Sequence, residues 1–272
     1  MRGPWTELGG VDPRSLTAVR RELHHAAWLL GSVAESLLPA AADWSHANLG
    51  FGAESGAFAT RALDLESGLA LELEATEASL HLRKGGATRE RWPLAGRSLD
   101  ELRAWGAGFV EERGAAFTPR ALPEDGGPIA EGAAFSAPAA EHTELARWFA
   151  VAQQALAALS AGELDGAEPR TWPHHFDTGL LHELDAERGI GAGFSPGDAV
   201  HAQPYFYVYA YPTPEELEPA ALDAPAGSWT TEGFRGWQLL GCDLLGEADR
   251  GGAVRAFLKE AAQRCRALLG RG

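Results

Sequence analysis

The chain has 272 residues, 45% hydrophobic and 22% charged, with 33 Gly and 16 Pro. That is ordinary globular composition, long enough to bury a core without covalent staples. A formal net charge of -15 argues against a sequence-independent grip on nucleic acid or an anionic membrane, both of which need clustered Lys and Arg. The basic side chains are 21 Arg and only Lys84 and Lys259, so most cations are fork-shaped donors suited to carboxylates. No apolar run reaches the ~18 residues of a membrane span, and the opening Met-Arg-Gly-Pro-Trp lacks the apolar core of a secretory signal. The expected location is the cytoplasm. Cys242 and Cys265 are too few for a disulfide framework and read as small buried hydrophobes.

Apolar residues at Leu16, Val19, Leu23, Ala26, Leu30, Val33 and Leu37 repeat at helical spacing until Pro39 stops them. On that helix His24 and His25 read as solvent-facing. From Phe58 to Leu94 the period becomes two. Leu69, Leu71 and Leu73 oppose Glu72 and Glu74, and Leu80 and Leu82 flank His81, with turns at Ser67-Gly68 and Gly85-Gly86. Antiparallel hairpins with one wet face are expected. Ser98 and Glu101 form a capping box ahead of a helix bearing Leu99, Leu102, Trp105 and Phe109. Residues 114–141, with four Pro and four Gly, read as a long connector between an N-terminal half (1–113) and a C-terminal half (142–272). His142, just beyond it, reads as solvent-facing before a helix carrying Leu145, Trp148, Phe149, Ala152, Leu156 and Leu159. Strand-like segments follow near 172–184, 204–211 and 234–241. A last helix carries Val254, Phe257, Leu258, Ala261, Cys265 and Leu268 and stops at Gly270. Both halves run helix, Trp-x-His (Trp44-Ser45-His46, Trp172-Pro173-His174), strands, helix. The expected architecture is therefore α+β, with antiparallel sheets flanked by helices in two related halves.

Three segments could carry chemistry. In Trp172-Pro173-His174-His175-Phe176-Asp177, read as a strand, alternation puts His175 and Asp177 on one face. A neutral imidazole and a nearby carboxylate could hold a divalent metal, with His201 as a third ligand and His46 as a fourth, or form a base with its orienting acid. The simpler reading is a hydrogen-bonded pair at a strand start. His182-Glu183 does not extend to a zinc motif, because Glu187 stands where the second His should be. Gly193-Phe194-Ser195-Pro196-Gly197 matches G-x-S-x-G. Pro196 has no N–H for an oxyanion hole and no helix follows, so a type II turn around Pro196-Gly197 is the better account. Gly189, Gly191 and Gly193 support no nucleotide-binding claim. All four tyrosines, Tyr205, Tyr207, Tyr209 and Tyr211, alternate along one strand and line one face of it. That ladder could floor a groove for a small ligand, although tyrosine is also simply a good strand former.

The order Trp172-Pro173-x-His175-Phe176-Asp177, Ser195-Pro196-Gly197-Asp198, Pro204-Tyr205-Phe206-Tyr207-Val208 resembles an uncharacterised bacterial domain-of-unknown-function family. The helix and Trp44-Ser45-His46 resemble that family's opening. The family has a longer His- and Trp-rich segment at Asp43-Trp44-Ser45-His46 and a His-Glu pair at Glu187-Arg188. The resemblance implies no activity, cofactor or catalytic residue. The functional expectation is a small polar ligand or a divalent metal ion held in a cleft of the C-terminal half. Its ligand-binding residues would be His175, Asp177, Ser195, Asp198, Tyr205, Tyr207 and Tyr209, and its metal ligands His175, Asp177 and His201. The alternatives are a non-catalytic interaction or scaffold protein and a metal-dependent hydrolase. Neither nucleic acid nor membrane is an expected partner, and the oligomeric state is not legible.

Overall fold

The computed structural model describes residues 4–121, 123, 125–164, 167–213 and 221–270. It is an α+β fold with two antiparallel sheets. The chain divides into two compact units, each discontinuous in sequence. The first comprises Leu16–Ala146 with Arg170–Phe176, and the second Met1–Ser15, Arg147–Pro169 and Asp177–Gly272.

In the first unit, α1 (Thr17–Leu37) covers the expected helix. The strands β1 (Gly50–Gly52), β2 (Ala57–Ala59), β3 (Ala70–Glu74), β4 (Ser79–Lys84) and β5 (Ala87–Pro93) pair antiparallel in chain order. Leu71 and Leu73 point into the core, and Glu72 faces His81 on the wetter side. The outer strand β5 is exposed along almost its whole length and carries Arg89, Glu90 and Arg91. Helix α2 (Leu99–Glu111) starts at Ser98, whose side chain accepts from the Glu101 amide while Glu101 reaches back to the Ser98 amide, the expected reciprocal cap.

Among its described residues the connector is irregular apart from the short α3 (Gly127–Ala130) and the helical residues from Ala139 on, and polar side chains of α1 hold it in place. Arg20 and Arg21 both bind Asp125. Glu22 accepts the amides of Ser136 and Ala137 at 2.7 and 3.0 Å, and Trp28 donates to the Ala121 carbonyl at 2.9 Å. Glu35 binds Arg120, and Ser36 accepts the Thr118 amide. As the partners on α1 advance from residue 20 to 36, those between 118 and 125 descend, so that stretch runs antiparallel to the helix. An irregular segment lacks ladder partners, and α1 supplies them.

Three histidines depart from the expectation. His24 and His25 are 7% and 0% exposed rather than solvent-facing, and His142 is also buried, within α4 (Ala139–Gly162). His24 Nε2 lies 2.9 Å from the Pro173 carbonyl, so that nitrogen carries the proton, and its ring stacks on Phe176. Burial pushes the His24 pKa down to about 3 and lowers those of His25 and His142.

The segment read as one strand from 172 is instead a short strand, a turn and a longer strand. Strand β6 (Arg170–Trp172) ends where the Phe176 amide turns back to the Trp172 carbonyl at 2.7 Å, and Phe176 adopts a φ of 56°. A bulky residue in that region is strained. Its ring compensates by packing, fully buried, on Phe58 and His24. The alternation that would relate His175 to Asp177 is broken at Phe176.

In the second unit, β7 (Asp177–Glu183), β8 (Gly189–Ser195), β9 (Tyr205–Tyr211), β10 (Ser228–Thr230) and β11 (Gly236–Leu240) lie in the order β10-β11-β9-β8-β7. One face meets helices. Phe194 and Phe206 pack against each other, Trp148 and Phe149 of α4 pack on Phe194, and Trp5 packs on Phe206. After α5 (Gly241–Leu245), α6 (Arg250–Leu269) buries Val254, Phe257, Leu258, Ala261 and Cys265. Cys242 is only half-buried, and both cysteines are free.

Strand β8 was not expected, since the spacing of its glycines read as chance. Gly191 and Gly193 pair with Tyr209 and Tyr207 of β9. A Cβ on Gly191 would stand 2.2 Å from Tyr209 Cζ, and one on Gly193 would stand 2.2 Å from the Tyr207 hydroxyl. The tyrosine rings lie down across the neighbouring strand, and only glycine leaves the space.

Two outcomes follow. Gly191→Ala should lower stability by about 1–3 kcal/mol through overpacking, and the loss should shrink when made in a Tyr209→Ala background, read by denaturant melts as a double-mutant cycle. For His24 the folded pKa lies below the ordinary 6.5, so between about 3 and 6.5 the unfolded chain binds the extra proton. Stability is therefore fully present above 6.5 and falls as pH drops through that window, by at most about 1.4 kcal/mol per pH unit per histidine. Thermal melts of His24→Gln should show a shallower decline below pH 6.5 than the parent protein.

Candidate functional site

The face of the second unit's sheet opposite its helices gathers most of the residues singled out from sequence. Alternation along β9 sends Tyr205, Tyr207, Tyr209 and Tyr211 to this side and Phe206, Val208 and Ala210 to the helices. The rings of Tyr205, Tyr207 and Tyr209 follow one another with centroids 6.2 Å apart. Gly179 of β7 pairs with Gly193, and its missing Cβ would stand 2.8 Å from the Tyr207 hydroxyl. Tyr207 thus spans β8 and reaches β7. There its hydroxyl donates to Asp177 Oδ2 at 2.5 Å.

A second tyrosine–carboxylate pair lies at the other end of the strip. Tyr205 donates to Asp198 Oδ2 at 2.6 Å, while Asp198 Oδ1 accepts the amides of Val200 and His201, each at 2.7 Å. That loop follows β8. Gly197 takes a φ of 111°, as the turn reading requires, and its amide donates to Ser195 Oγ. The Asp198 amide, which a type II turn at Pro196-Gly197 would direct to the Ser195 carbonyl, donates instead to the His201 carbonyl. The loop leads to a strand, so Ser195 is not at a nucleophile elbow. The His201 ring lies 5.1 Å from that of Tyr205.

Burial, reinforced by the adjacent carboxylates, pushes the Tyr205 and Tyr207 pKa values up, and burial does the same to Tyr209. All three stay protonated at neutral pH. They act as hydrogen-bond donors and aromatic surface, not as bases.

Two residues here had not been singled out. Phe234 stacks on Tyr205, with centroids 6.2 Å apart and planes 10° apart, and meets Tyr207 edge-on. Gln238 pairs with Tyr207 and so faces the same way. It is 9% exposed, and its Oε1 is buried with no hydrogen-bond partner among the described residues. The sequence signal for Gln238 was a lone polar residue between Trp237 and Leu239 in an otherwise apolar strand.

The structure thus brings Asp177, Ser195, Asp198, His201, Tyr205, Tyr207 and Tyr209 into one unit, with the two hydrogen-bonded pairs as its fixed points. His175 belongs to the other unit, in the exposed turn after β6, where its amide donates to the Trp172 carbonyl at 3.2 Å. Among the described residues, no three His, Cys, Asp or Glu side chains form a group that could hold a metal ion, and His175, Asp177 and His201 are not such a group. Among the same residues no helix is long and apolar enough to cross a membrane.

No curated protein and no solved structure matches the chain. The three ordered motifs, and with them the tyrosine strand and both of its carboxylates, fall within residues 168–268, which match the model of a family of unknown function (DUF5996).

Proposed function

We propose that the second unit binds a small polar ligand on its tyrosine face, and that the ligand carries an organic ammonium group. The observation that carries this reading is the direction of the two hydrogen bonds. Both tyrosine hydroxyls donate to carboxylates, so what this face offers a ligand is negative charge, acceptor oxygens and aromatic rings. A cation over aromatic rings and within reach of a carboxylate is stabilised by both the ring quadrupole and the charge. Tyr205, Tyr207, Tyr209 and Phe234 form a continuous aromatic strip in which Tyr205 is buried and the other three rings are half-buried. The glycine floor fixes the ring positions before any ligand arrives, which limits the ordering cost of binding.

The test is calorimetric titration of the full chain with phenethylammonium, with benzoate as the oppositely charged control. Saturable binding of the amine alone is expected, weakened about tenfold, or ~1.4 kcal/mol, in Asp177→Asn and in Asp198→Asn. Thermal melts of both variants confirm the fold. Equal affinity in the parent and both variants, or no saturable amine binding, would remove the proposal.

A further inference from the structure

We infer that the first unit holds a separate site for a small organic carboxylate with an apolar body, in the pocket where the end of α1, the loop before β1, the segment after β2 and the start of β6 meet. The cavity measures about 540 Å³, within the ~300–1,000 Å³ of small-molecule sites. Its lining is divided by chemistry. Leu38, Pro39, Ala62 and Leu65 supply apolar wall, and His46, Arg61 and Arg170 supply nitrogen; no carboxylate lines it. In a chain with a net charge of -15, His46, Arg61 and Arg170 are the nitrogen-bearing side chains of this wall.

The donors are held in place by the fold. His46 is 7% exposed, and its Nδ1 accepts the Ala41 amide at 3.1 Å. The proton of the neutral ring therefore sits on Nε2, which is the nitrogen left to donate to a ligand. The Trp44 ring stacks on His46 at 5.9 Å, and the Arg120 guanidinium lies 4.5 Å over that Trp44 ring. Arg61 donates from Nε to the Ser45 carbonyl at 2.7 Å, which sets the plane of its fork. Its terminal nitrogens have no hydrogen-bond partner among the described residues, and the nearby charge it acts on is Asp43. Arg170 is placed by the bridge between Leu49 and Thr171, whose amides and carbonyls exchange hydrogen bonds of 2.9 Å. Leu65 stands at the rim, 88% exposed, on a loop ordered by Asp64, which accepts the Glu66 amide and the Ser67 hydroxyl.

Planar guanidinium forks match the two oxygens of a carboxylate, and the imidazole N–H adds a directional donor. The apolar wall separates this class from a bare inorganic anion. Removing a charged hydrogen-bond donor from such a contact weakens binding about tenfold or more. The site lies in a different unit from the tyrosine face and prefers the opposite charge, so the two readings fail independently.

Calorimetric titration of the full chain with hexanoate and, separately, with inorganic phosphate at constant ionic strength tests the assignment. Saturable hexanoate binding is expected, with phosphate at least about tenfold weaker. Arg61→Gln and Leu65→Glu, both at exposed positions, should each weaken hexanoate about tenfold while leaving the thermal melt unchanged. The assignment is overturned if hexanoate does not saturate, if phosphate binds as well as hexanoate, or if neither variant changes the affinity.

Discussion

The tyrosine face depends on a single steric fact: three glycines, Gly179, Gly191 and Gly193, leave the sheet bare where two tyrosine rings need to lie. In most sheets a side chain stands away from its strand and meets only its immediate cross-strand neighbour. Here Tyr207 lies across β8 and delivers its hydroxyl to Asp177 on β7, two strands from its own backbone. Restoring a methyl group at Gly193 would push the ring up and break that reach. The Tyr207–Asp177 hydrogen bond and the positions of the Tyr207 and Tyr209 rings follow from the missing Cβ atoms.

The first unit is organised differently, around α1. Apolar residues on that helix face the core, as the periodicity requires. Arg20, Glu22 and His25 are buried as well, on the side of the helix that the connector covers, and His24 is buried against the turn at Pro173 and Phe176. A buried charge is tolerable only when paired. Asp125 and the amides of Ser136 and Ala137 supply the pairing for the two Arg and for Glu22. Helix and connector therefore satisfy each other, and neither would be stable in this form alone.

The elements legible in the sequence were those specified by local pattern. The stripe of α1, the Ser98–Glu101 cap, the hairpin leucines and the alternation of β9 each draw on residues close in the chain. What escaped was set by distant partners. Gly189, Gly191 and Gly193 look like a chance spacing until the tyrosines that cover two of them are known. His24, His25 and His142 look like surface residues until the connector and turn that bury them are placed. Trp172 to Asp177 looks like a strand because nothing local announces that Phe176 adopts a left-handed backbone, a strain supported by its contacts with Phe58 and His24. Of the candidate site, both carboxylates and the tyrosines were legible as residue types. Their pairing was not, since no spacing rule joins residue 177 to 207.

The charged outer strand β5 has a consequence for how this chain meets other copies of itself. An edge strand presents unpaired amides and carbonyls that another strand can add to. Arg89, Glu90 and Arg91 sit on that edge, Pro93 withholds a donor at its end, and a register irregularity at Leu82/Arg83 disturbs the ladder behind it. A strand arriving from a second molecule would have to desolvate those charges and follow a bent template. The sheet thus ends at β5, and crowding in solution finds there no flat, apolar seam along which to propagate.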